Sequence, residues 1–190
     1  MKPMRQYPPI LNPYLELVRE ILTLNPPPVG LQSIRRKIVA SYAWAIPSQL
    51  ALETIARYQP ILEIGAGSGY WAFCLRQMGV DIIALDRNVA APPSWSKVEE
   101  GDETILRNTN CEYRKRSLML CWPPLNESFA ENALAHYEGD TLIDIGEPKG
   151  GNTGTLAFSE KLESGWTLVE SLSLPRWPGC RDELRVWVRN

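Results

Sequence analysis

Glu63, three alternating glycines at Gly65, Gly67 and Gly69, and Asp86 are the residues of this chain most suited to holding a ligand. Glycines lacking Cβ tolerate left-handed backbone angles and let a ligand approach the main chain closely. A carboxylate at Asp86 can accept hydrogen bonds from both hydroxyls of a ribose. Glu63 stands two residues before the first glycine, where its charge would repel a pyrophosphate and welcome a cation. The pattern therefore suits a nucleoside with a cationic tail.

The elements that position these residues are written around them. Ile61 to Ile64 is a short apolar strand, an amphipathic helix follows the glycines, and Ile82 to Leu85 is a second strand ending at Asp86. Such a βαβ unit opens a nucleotide-sized crevice at the carboxyl ends of its strands. A dinucleotide fingerprint requires its third glycine three residues after the second. That place holds Tyr70, and the third glycine is Gly69. An acidic residue followed by G-x-G-x-G resembles motif I of the class I S-adenosylmethionine-dependent methyltransferases. A dinucleotide site and an empty crevice are the competing readings. The resemblance implies S-adenosyl-L-methionine as cofactor, contacted by Glu63, Gly65, Ala66, Gly67, Gly69, Asp86, Arg87, Asp102 and Cys121.

The later chain supplies the strands that this resemblance requires. Ser96 to Asp102 resembles the third, with an acidic end near the adenine. The apolar run from Ser117 to Trp122 reads as the fourth, stopped by Pro123 and Pro124, which cannot continue a ladder. Thr141 to Gly146, Trp166 to Leu174 and Leu184 to Arg189 complete seven. The expected fold is α/β and Rossmann-like: a seven-stranded, mainly parallel sheet in the order 3-2-1-4-5-7-6, its last strand antiparallel, preceded by N-terminal helices. Residues 1–190 read as one methyltransferase-like domain, with a helical extension over 1–56 and the cofactor-binding core over 57–190.

In the extension, Asn12 followed by Pro13 predicts an N-cap with proline at the first helical position. Leu15, Val18, Ile21 and Leu22 share a face of that helix, which the proline run from Pro26 ends. A second helix is expected from about Leu31, and a third over 48–58 with Ser48 as its cap. Tyr42 and Trp44, in the linker before the third helix, could border the acceptor site, since aromatic faces attract a desolvated cation. They could equally pack the helices onto the sheet. After Asp86, the short segment with Pro92 and Pro93 leaves little room for the usual second helix of the fold. The exposed sheet face would then need cover from the N-terminal helices or a partner chain.

Cys121-Trp122-Pro123-Pro124-Leu125 resembles the Asn/Asp-Pro-Pro-aromatic motif of enzymes that methylate planar amino nitrogens. Trp122 stands in the Asn/Asp place, and an indole N–H only donates. It cannot accept the hydrogen bond that activates an amino nitrogen. Tyr42, Trp44, Trp122 and Glu147 are the candidates for the acceptor pocket. Glu147 opens a glycine-rich loop that reads either as an acceptor contact or as a surface turn before a helix capped near Thr153. His136 reads as a residue compensating the dipole at a helix end. Together with Trp-Pro-Gly near the end, these motifs look like a group of methyltransferase-like proteins. That resemblance brings no acceptor with it.

Composition restricts the partners. A formal net charge of −2 gives no general attraction to nucleic acid or an anionic membrane. The clusters Arg35-Arg36-Lys37 and Arg114-Lys115-Arg116 read as solvated faces. Four dispersed cysteines without a C-x-x-C pair, and one histidine, offer no zinc set. No signal peptide and no apolar run long enough for a membrane span are visible, so a cytoplasmic protein with reduced thiols is expected. The sequence points to an S-adenosylmethionine-dependent methyltransferase of a small-molecule or protein acceptor. The alternatives are a non-catalytic cofactor-binding or scaffold domain and, disfavoured by the charge, a nucleic-acid methyltransferase. Neither oligomeric state nor the acceptor atom is written in it.

Overall fold

The computed structural model describes residues 7–89, 94–108 and 112–190. Pro92 and Pro93, noted above, and one of the four cysteines, Cys111, lie outside them. Seven strands form one sheet in the order β3-β2-β1-β4-β5-β7-β6. They are β1 (Ile61–Ile64), β2 (Ile82–Asp86), β3 (Glu99–Glu100), β4 (Ser117–Cys121), β5 (Thr141–Gly146), β6 (Trp166–Ser173) and β7 (Glu183–Arg189). The first five pair in parallel, and β7 runs antiparallel to both β5 and β6. Every residue of β1 and β5 is buried. Central strands covered on both faces read as continuous rather than alternating apolar runs, which is why these two were plain in the sequence.

The third strand is far shorter than the expected 96–102. Its flanks are taken by other bonds. Ser96 Oγ donates to the Gly69 carbonyl at 3.1 Å and accepts from Arg76 at 2.6 Å. Asp102 turns away to cap a single 3-10 turn (Glu103–Arg107), accepting the Thr104 N–H at 2.9 Å.

Helices cover both faces of the sheet. α1 (Pro13–Thr23), α2 (Pro28–Ser41), α3 (Gln49–Ala56) and α4 (Tyr70–Gln77) pack on the face of Ile61, Ala84, Met119, Ile143 and Val186. α5 (Phe129–His136) and α6 (Leu156–Gly165) cover Leu62, Ile64, Leu118, Leu120 and Leu142. The caps expected at Asn12 and Ser48 form, each side chain accepting a main-chain N–H. The first helix buries Tyr14 and Val18 instead of Leu22, which is exposed. The proline run both ends α1 and begins α2 at Pro28, whose fixed φ suits a first helical position. α6 is capped by Thr155, not Thr153, because the Thr153 hydroxyl already accepts the Glu147 N–H at 2.9 Å.

Among the described residues, no helix lies between β2 and β3. Trp95 fills part of that space and ties it to the N-terminal helices. Its indole N–H donates to the Ser41 carbonyl at 2.7 Å, and its ring stacks on Tyr42 at 5.0 Å and meets Tyr70 edge-on at 4.9 Å. Tyr14 stacks on Tyr42 at 4.9 Å and its hydroxyl accepts the Trp177 N–H at 3.0 Å. One aromatic cluster thus joins the N-terminal helices, α4 and the C-terminal loop. No described helix is long and apolar enough to cross a membrane.

Candidate functional site

The glycine turn is held by the strand beside it. The N–H groups of Gly65 and Ala66 both donate to the Leu85 carbonyl at 2.9 Å. Gly65, Gly67 and Gly69 all have positive φ, at 81°, 54° and 74°. A Cβ at Gly69 would lie 2.7 Å from Val98, so that glycine serves packing as well as geometry. A Cβ at Gly67 would meet nothing within 4 Å, so this part of the turn faces open space.

Asp86 closes the turn from the next strand. Its Oδ2 accepts the Gly67 N–H at 2.7 Å and its Oδ1 accepts the Asn88 N–H at 2.8 Å. Each carboxylate oxygen retains a lone pair for a further donor. A crevice of about 250 Å³ opens here at the carboxyl edge of the sheet. Gly65, Gly67, Asp86, Arg87, Asp102, Cys121, Trp44 and Trp122 all border it, eight of the residues singled out from sequence. Arg87 is at the exposed rim, paired with Glu127 at 3.1 Å. Hydrogen bonds from Thr104 lower the pKa of Asp102, keeping its carboxylate charged at the crevice.

Glu63 lies outside the crevice wall and is only 1% exposed. Its Oε2 is buried without a hydrogen-bond partner. Burial pushes its pKa up to about 8, a rise that Arg76 opposes and Asp86 reinforces. An unsatisfied buried acceptor is costly; a cationic or N–H donor from a ligand would relieve it. Burial and the Glu63 charge likewise raise the Cys121 thiol well above its ordinary range.

Trp122 directly follows β4 with φ at 54°, a strained backbone for a non-glycine residue. Its indole N–H donates to Asp182 Oδ1 at 2.9 Å, and its ring stacks on Trp44 at 5.1 Å with planes 15° apart. Asp182 is fully buried, and burial pushes its carboxyl up to about 6. The Arg35 guanidinium lies 5.7 Å from the Trp44 ring and 5.5 Å from the Trp122 ring. Its Nε and Nη2 are buried and unpartnered. Pro123 and Pro124 also line the crevice, braced by the loop after β5: Gly154 N–H donates to the Pro123 carbonyl at 2.9 Å, and Pro124 bridges Thr153.

The remaining sequence candidates are placed elsewhere. Tyr42 belongs to the aromatic cluster with Tyr14, Tyr70 and Trp95. Glu147 is buried, with its carboxylate spent within the fold. Oε2 accepts two bonds from Asn152 at 2.7 and 2.8 Å, and Oε1 accepts the Arg181 N–H at 2.9 Å. Neither residue borders the crevice.

Two residues of the site have no sequence signal, and a third, Arg35, departs from its expected place. Phe129, at the start of α5, lies against Gly65 and lines the crevice, with no sequence signal linking the two. Asp182 sits in the C-terminal loop, sixty residues from its Trp122 partner. Arg35 was read as part of a solvated face, yet α2 carries it to the Trp pair. The second basic cluster is also less solvated than expected: Arg116 pairs with Asp81 at 2.8 Å and Arg114 pairs with Glu138. Among the described residues, no group of three or more His, Cys, Asp or Glu could hold a metal ion.

No protein-family model matches the sequence, and neither does any curated protein. Solved structures do match the fold. One is Burkholderia thailandensis 1,6-didemethyltoxoflavin-N1-methyltransferase with bound 1,6-didemethyltoxoflavin and S-adenosylhomocysteine. It is 17% identical with a TM-score of 0.55, over 98% of this chain and 93% of that one. Another is Sp1610 of Streptococcus pneumoniae in complex with S-adenosyl-L-methionine, 15% identical with a TM-score of 0.50, over 76% of this chain and 74% of that one. With the sheet order 3-2-1-4-5-7-6, these likenesses give the chain the fold of the class I S-adenosylmethionine-dependent methyltransferases.

Proposed function

We propose that this chain is an S-adenosylmethionine-dependent methyltransferase of a small-molecule or protein acceptor. The observation that carries the reading is the unpartnered, buried Oε2 of Glu63 beside an open glycine turn that Asp86 braces. Those residues fit the cofactor's chemistry. Glu63 would take the ammonium of its amino-acid end, Gly65 to Gly67 would present main chain to it, and Asp86 would accept from the ribose hydroxyls. Asp102 and Phe129 border the remainder of the crevice, where an adenine would lie. Both solved relatives named above carry S-adenosylmethionine or its demethylated product.

When bound, the cofactor supplies a sulfonium-activated methyl group, so alignment of the acceptor lone pair can provide much of the rate without a base. The chain's part is to position the acceptor and exclude water. The stacked Trp44 and Trp122 rings offer a flat apolar surface at the crevice, which suits a planar acceptor held by stacking and desolvation. Asp182 fixes the orientation of Trp122 through the indole N–H. The indole N–H is the only polar atom of the Trp122 side chain and it only donates, so Trp122 cannot supply the side-chain acceptor of amino-methylating enzymes. This one feature favours the second reading, a cofactor-binding domain without turnover.

Calorimetric titration with S-adenosylhomocysteine tests the proposal. Binding is expected, and Asp86→Ala should weaken it by roughly 1–3 kcal/mol through loss of charge-assisted hydrogen bonds. Absence of binding to the wild type would overturn the assignment. Binding without methyl transfer to any acceptor offered would favour the second reading.

A further inference from the structure

With the cofactor seated as proposed above, the rest of the crevice wall limits the acceptor. Trp44, Trp122, Pro123 and Pro124 border the crevice and have no part in the proposed cofactor contacts. None of these four side chains is an acid or a base. Trp44 is 48% exposed while its ring stacks on Trp122, so a flat ring can reach the pair from solvent.

The titratable residues on the wall are Asp86, Arg87, Asp102, Cys121 and Glu127. Asp86 and Asp102 serve the proposed cofactor site, and Glu127 is paired with Arg87 at 3.1 Å. Burial, above all, keeps the Cys121 thiol protonated. The single histidine, His136, is not on this wall and accepts from Arg107 Nε at 3.2 Å. Among the described residues of the wall, no free base is left to take a proton from an acceptor. Three carboxylates against one guanidinium also make the wall acidic. Arg35 lies beside the Trp pair but is not part of the wall, and its charge acts on the buried Asp182.

These features eliminate the common acceptor groups in turn. A hydroxyl needs a base to remove its proton. A carboxylate or thiolate needs none, but brings a negative charge to an acidic wall. A planar amino nitrogen spreads its electron pair into the ring and needs a side-chain acceptor, whereas Trp122 only donates. A pyridine-type ring nitrogen meets none of these obstacles. It is neutral, carries no hydrogen, and holds its pair in the ring plane. Stacking on the Trp pair leaves that edge of the ring free to turn towards the methyl group. We propose that the acceptor is a neutral heteroaromatic ring, methylated at a pyridine-type nitrogen. The nitrogen pair forms the new N–CH3 bond as the S–CH3 bond breaks, and the electrons of the broken bond stay on sulfur as a thioether. No proton leaves, and the positive charge passes from sulfur to the ring. The Trp faces that stack the ring also attract the cation formed.

The test incubates the full chain with S-adenosylmethionine and isoquinoline, with 2-naphthol, 1-naphthylamine and 2-naphthoate as controls of the same size. Mass spectrometry reads the methylated product, and release of S-adenosylhomocysteine gives the rate. N-methylisoquinolinium is expected, with kcat/KM at least tenfold above that of each control. Trp44→Leu should raise the KM for isoquinoline about tenfold and leave S-adenosylhomocysteine affinity unchanged, since the half-exposed Trp44 takes no part in the proposed cofactor contacts. Calorimetry with S-adenosylhomocysteine separates the two levels. No cofactor binding would overturn the methyltransferase reading and the acceptor class with it. With cofactor binding intact, preference for any control, transfer to none of the four compounds, or an unchanged KM in Trp44→Leu would overturn the acceptor class alone.

Discussion

Replacing Glu63 by Gln should make this protein more stable and a poorer binder of its cofactor. In the folded chain Glu63 titrates at about 8, against 4.5 for an ordinary glutamate. Between those values the folded state keeps a proton that the unfolded state has released. The contribution of Glu63 to stability is therefore fully present below pH 4.5 and is lost as pH rises towards 8. At pH 7 the gap spans about 2.5 pH units, and at about 1.36 kcal/mol per unit the carboxyl costs about 3 kcal/mol. Gln is neutral at every pH and nearly the same shape. Urea denaturation should show Glu63→Gln equal to the wild type near pH 4.5 and more stable by about 2–3 kcal/mol at pH 7. In a chain of this size that corresponds to roughly 5–10 °C in melting temperature. The same variant should lose about tenfold or more in affinity for S-adenosylhomocysteine, since a hydrogen bond to a charged group is worth about 1.5–3 kcal/mol. A gain independent of pH, or none at pH 7, would refute the reasoning about burial. Unchanged affinity would remove Glu63 from the site.

Three further expectations follow from particular contacts. Trp122→Phe deletes the N–H that Asp182 accepts and strands a buried carboxylate. Because that bond favours the charged form, its loss should cost roughly 1–3 kcal/mol above the Asp182 pKa of about 6, and less at pH 5. Denaturation of both proteins across that range measures it. Trp122→Ala should reduce methyl transfer while leaving S-adenosylhomocysteine affinity nearly intact, since in the proposed reading the glycine turn, Glu63 and Asp86 hold the cofactor; a matching loss of cofactor affinity would contradict that division. Gly69→Ala should destabilise by more than Gly79→Ala in thermal melts. Both have positive φ, but only at Gly69 would the Cβ strike a neighbour, Val98 at 2.7 Å.

The sequence by itself determined the sheet and the position of the glycine turn. The signals were local: β1 and β5 are mainly apolar without alternation because both faces are buried, and alternating glycines with Asp86 one strand later define the crevice edge. Caps at Asn12 and Ser48 were legible for the same reason, since a side chain three residues from its N–H needs no tertiary partner. Tertiary structure decided everything that depends on elements distant in the chain. It brought Arg35, Trp44, Trp122 and Asp182 together from α2, the following linker, the end of β4 and the C-terminal loop. It took Tyr42 into an aromatic cluster and spent the Glu147 carboxylate on its own loop and on the Arg181 N–H. It cut β3 to two residues because Ser96 and Asp102 found other hydrogen-bond partners. Residue type states what a side chain can bond; which bond it makes is settled by the neighbours that packing places within about 3 Å of it.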